Sequence, residues 1–65
     1  MTLDRMLQLS AEWTATMEAA ITAIYSEDAR TMAAAWSNVD AATCEVLRAG
    51  FSSPAELQLA VWRAL

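Results

Sequence analysis

Eight acids, four bases, no histidine and a single cysteine in 65 residues exclude a good deal. A lone Cys44 allows no intrachain disulfide, and without histidine the common zinc-binding patterns cannot be built. The net charge of −4 repels phosphate and anionic lipid headgroups, which argues against direct nucleic-acid binding and against a membrane surface. The length accommodates one domain over residues 1–65. A chain this short buries only about 60% of its unfolded surface, so association with itself or another protein is the remaining route to stability.

Composition predicts an all-α protein. Fifteen residues are alanine, only five are valine or isoleucine, and neither glycine nor proline occurs before Gly50. No uncharged apolar run approaches the ~20 residues of a bilayer span. The start, Met1-Thr2-Leu3-Asp4-Arg5, carries no net positive charge, and Gln8, Ser10 and Glu12 interrupt any signal-peptide core. A cytoplasmic protein with a reduced thiol is the expectation.

Taken in order, Thr2 is a candidate cap for a first helix over about 3–25, with Asp4 in its first turn. Leu3, Met6, Leu9, Trp13, Met17, Ala20, Ile21 and Ile24 share one side, with Leu7 and Tyr25 at its edge. A second start is expected at Ser26-Glu27-Asp28, a capping serine followed by two acids. The apolar stripe beyond it is turned by roughly a quarter turn or more against the first. A bend there lets both stripes face one core, and an antiparallel hairpin does this with the least chain. A single kinked helix is the alternative.

The second helix, about 27–49, carries Ala29, Met32, Ala33, Trp36, Val39, Thr43, Val46 and Leu47 on its apolar side. The stripe keeps its phase through Ser37-Asn38, so the helix is read as continuous; a break capped by Ser37 or Asp40 competes. It ends at Gly50, the residue free to take a left-handed conformation, with Arg48 in the last turn and Phe51 placed to fold back on Val46. Ser53, Pro54 and Glu56 then form a start signal for a third helix over 54–64. There Leu57, Ala60, Val61 and Ala64 form one apolar face, while Leu59 and Trp62 lie nearly opposite. A short third helix has one face to bury, so Leu59, Trp62 and Leu65 are the candidate partner interface. Trp13 and Trp36 are assigned to the core, and Met6, Met17 and Met32 to ordinary core filling.

Nothing in the chain predicts catalysis, a metal site or a cofactor site. Cys44 has no histidine to activate it, and Asp40 one turn earlier is read as a rim residue or local cap. No Ca²⁺ loop, metal-binding helix or glycine-rich phosphate cradle is present. The expected function is that of a non-enzymatic interaction module, self-associating as a homodimer through the C-terminal helix. The competing expectation is a small inhibitor of a larger nucleic-acid-handling protein, presenting the acidic surface of Glu12, Glu18, Glu27 and Glu45. In size and charge the chain is similar to virus-encoded inhibitors such as anti-CRISPR proteins, and no motif carries that likeness.

Overall fold

The computed structural model describes all 65 residues. It contains three helices and no strand: α1 (Leu3–Ile24), α2 (Ala29–Arg48) and α3 (Pro54–Ala64). Each start is set by a side chain that accepts one of the unpaired amides of the first turn. Thr2 accepts from the Arg5 amide at 3.2 Å, Asp28 from Arg30 at 3.0 Å and Ser53 from Glu56 at 3.3 Å. Pro54 occupies the first turn of α3, where its missing N–H costs nothing.

The turn between α1 and α2 departs from its sequence reading. Asp28, not Ser26, caps α2, and Ser26 instead donates its hydroxyl to the Ala23 carbonyl at 2.7 Å. Glu27 belongs to neither helix and sits in the left-handed region at φ 59°. That conformation reverses the chain within four residues and makes the hairpin possible. For a residue with a Cβ it costs about 1 kcal/mol or more. Glycine removes this cost but loses more freedom on folding. We therefore expect Glu27→Gly to stabilise the protein by about 0.5–1 kcal/mol, a rise of roughly 2–8 °C in melting temperature for a domain of this size. A thermal melt followed by circular dichroism checks it.

The Asp28 carboxyl is held below its ordinary value of 3.8 by the Thr31 hydroxyl first and the Arg30 amide second. A depressed carboxylate stabilises the fold above its unfolded pKa, and that contribution disappears as pH falls through the lower folded value. Asp28→Asn removes the titration. The stability difference between wild type and this variant should accordingly be constant near neutrality and change only below about pH 4, as read from melts at a series of pH values.

Gly50 ends α2 as expected, at φ 104°, with its amide donating to Leu47 O at 3.0 Å. Helix α2 runs unbroken through Ser37 and Asp40, so neither is a cap. All three helices pack on one another, with α1 against α2 the most extensive pairing. The core is small. Leu9, Val46, Leu57 and Val61 form a cluster drawn from all three helices, with Met6, Trp13, Ala49 and Phe51 packed on it. Ala20, Ala23 and Val39 are the other buried residues.

Two parts of the predicted core lie outside it. On α2 the face turned inward carries Ala35, Ala42 and Ala49 beside Val39 and Val46. It is rotated by roughly 80–90° from the apolar stripe read off the sequence. Small side chains let the two helix backbones come close, and Ala29, Ala33, Trp36 and Leu47 are left exposed in consequence. Trp36 is therefore a surface residue, 42% exposed. On α1, Ile21 and Ile24 are each 49% exposed because nothing covers the end of the stripe nearest the turn. Trp13, Met6, Met17 and Met32 are half-buried on the inner faces.

Candidate functional site

The largest concavity lies where α3 crosses α1. It is a groove of about 680 Å³ lined by Trp13 of α1 and by Ala55, Gln58, Leu59, Val61, Trp62 and Leu65 of the C-terminal segment. Two layers of structure position it. Below, Leu57 and Val61 sink into the core cluster and fix the rotation of α3 about its axis. At the side, Gln58 bridges to α1, accepting from the Ser10 hydroxyl at 2.6 Å and donating to Thr14 Oγ1 at 3.4 Å. The Trp13 indole N–H donates to Thr43 Oγ1 at 3.1 Å, which holds the ring at the groove wall. Thr43 was read only as part of the apolar side of α2 and Gln58 was not singled out, since nothing in a single polar residue announces its long-range partner.

With α3 so oriented, its other face turns outward. Trp62 is 75% exposed, Leu65 83% and Leu59 41%. These three are the sequence-predicted interface residues, and the fold brings them together at one groove. The groove is lined by no ionisable side chain and offers shape and apolar area.

The other candidate residues are dispersed. Asp40 and Cys44 are exposed, one turn apart on α2. No three acidic or cysteine side chains gather to hold a metal ion. Glu12, Glu18, Glu27 and Glu45 are all exposed. Glu12 and Glu18 stand roughly 120° apart around α1. Glu12 accepts from the Gln8 amide at 3.2 Å, and Gln8 in turn accepts from Arg5 at 3.1 Å. Glu45 pairs with Arg48 at 3.0 Å on the same helix. The negative charge is thus spread, and partly neutralised locally. No helix is long and apolar enough to cross a membrane.

No family model, no curated protein and no solved structure matches the chain.

Proposed function

We propose that the protein is a non-enzymatic interaction module that self-associates as a homodimer through the outer face of α3. The observation that carries this reading is Trp62, an indole 75% exposed at the mouth of an apolar groove. Large aromatic side chains next to a pocket are the usual anchors of protein interfaces. The surface as a whole supports it. The molecule exposes 4497 Å², whereas a folded monomer of 7.1 kDa is expected to expose roughly 4,100 Å². The excess accords with an elongated molecule that leaves Leu59, Trp62 and Leu65 uncovered. No charged side chain lines the groove, so a second copy can cover it without burying an unpaired charge.

Sedimentation or light scattering across micromolar concentrations tests the proposal. Wild type should pass from monomer to dimer as concentration rises, and Leu59→Glu should remain monomeric while keeping its helical circular dichroism. A wild-type chain that stays monomeric to high micromolar concentration overturns it.

A further inference from the structure

Helix α3, with 11 residues, is about 16 Å long against about 33 Å for the 22 residues of α1. It therefore lies along only part of the hairpin. It is tied to α1 at Ser10, Thr14 and Trp13, through Gln58 and the shared groove. Counting on by whole turns from those positions marks what a longer third helix would cover. Ile21 stands seven residues beyond Thr14, and Ile24 eleven beyond Trp13. On α2, Trp36 stands seven residues before Thr43, which accepts the Trp13 indole bond, and Met32 stands seven before Val39. Spacings of seven and eleven return to the same side of a helix. The Trp13–Thr43 bond also sets the antiparallel register, placing Ile24 level with Met32. The free half of the hairpin thus carries an apolar shelf of Met17, Ile21, Ile24, Met32 and Trp36 on the side where α3 packs. The elongation of the molecule agrees: its radius of gyration is 12.8 Å, against about 11 Å for a compact chain of this length.

We infer that this shelf is the seat for α3 of a second copy. Leu59, Trp62 and Leu65 of each copy lie on the shelf of the other, and a twofold axis relates the two junctions. The inference rests on the self-association proposed above and specifies which surface receives the helix. Three observations carry it. The first is area. From their exposures, Leu59, Trp62, Leu65, Ile21, Ile24 and Trp36 offer roughly 600–700 Å² per copy. The pair then buries about 1,200–1,400 Å², within the range of specific interfaces, whereas the α3 face alone offers little over half of that. The second is length, since Met17 to Ile24 spans about 11 Å and the row Leu59–Trp62–Leu65 about 9 Å. The third is charge. The charged residues flanking the shelf by helical position are the acids Glu18 and Asp40, and on α3 Glu56 flanks Leu59 at the start of the row while Arg63 lies beside Leu59 and Trp62 towards its end. None of the four forms an ion pair within its own chain, where Glu45–Arg48 is the single salt bridge. Seating α3 on the shelf brings Arg63 of one copy towards the acidic rim of the other.

Sedimentation equilibrium on the full chain separates the possibilities. Ile24→Glu disables the shelf and leaves α3 intact; Trp62→Glu does the reverse. Each alone should raise the dimer dissociation constant by at least about tenfold. An equimolar mixture should recover a heterodimer tighter than either variant with itself, because one intact junction is reunited. Trp36→Lys, at another half-exposed position, repeats the shelf arm if Ile24→Glu loses helical circular dichroism. If wild type dimerises, Trp62→Glu does not, and both shelf variants dimerise as well as wild type, the shelf is not the seat and α3 pairs with α3. A mixture no tighter than its components likewise overturns the exchange. A monomeric wild type instead overturns the self-association itself.

Discussion

Leu57→Ala should leave the protein largely unfolded at 25 °C. Leu57 is one of the two largest side chains completely enclosed by the fold, the other being Val46, and it joins α3 to the cluster of Leu9 and Val46. Removing a buried leucine side chain to alanine costs about 2–5 kcal/mol, from lost transfer energy plus the cavity left behind. A single core in a chain this short supplies only about 3–5 kcal/mol of total stability. With four residues in the main cluster, few neighbours remain to close around the gap. Urea unfolding followed by circular dichroism should show the midpoint lost or moved close to zero denaturant. A shift of less than about 1 kcal/mol would mean that α3 docks by some other means than this cluster.

Trp62→Ala should have the opposite profile, with little effect on the isolated fold and a large one on association. At 75% exposure the indole contributes little packing within its own chain. As an interface anchor its truncation costs about 2–4 kcal/mol, which weakens dimerisation by roughly 30- to 900-fold. Because a dimer binds only folded chains, the wild-type melting temperature should rise with protein concentration, and that dependence should vanish in the variant. Measured at low concentration, the two melts should coincide. Unchanged association in Trp62→Ala would remove the anchor on which the functional reading stands.

Much of the fold was legible in the sequence because the signals are local. The Thr2 cap, the left-handed Gly50, and the Ser53-Pro54 start each act within one helical turn, and the observed boundaries of α1 and α3 follow them within a residue. Continuity of α2 was legible from the phase of its apolar positions. The turn at residues 25–28 was read less well, because Ser26 and Asp28 are both good caps and only the backbone path selects between them. A glutamate in a left-handed conformation also leaves no mark in composition. The outward pair Leu59 and Trp62 was legible from the wheel of α3. The shelf was not, since its residues read as ordinary core.

By itself the sequence determined three amphipathic helices, the caps of the first and third, and more apolar surface on α3 than one face needs. Only the tertiary structure decided which part of each apolar arc is covered. A helical wheel gives the width of an arc, while its burial depends on the neighbour's length and on how closely two backbones approach. Alanines drew α2 in on the side away from Trp36, and an α3 half as long as α1 stopped short of Ile21 and Ile24. These are properties of pairs of helices, and no single helix encodes them.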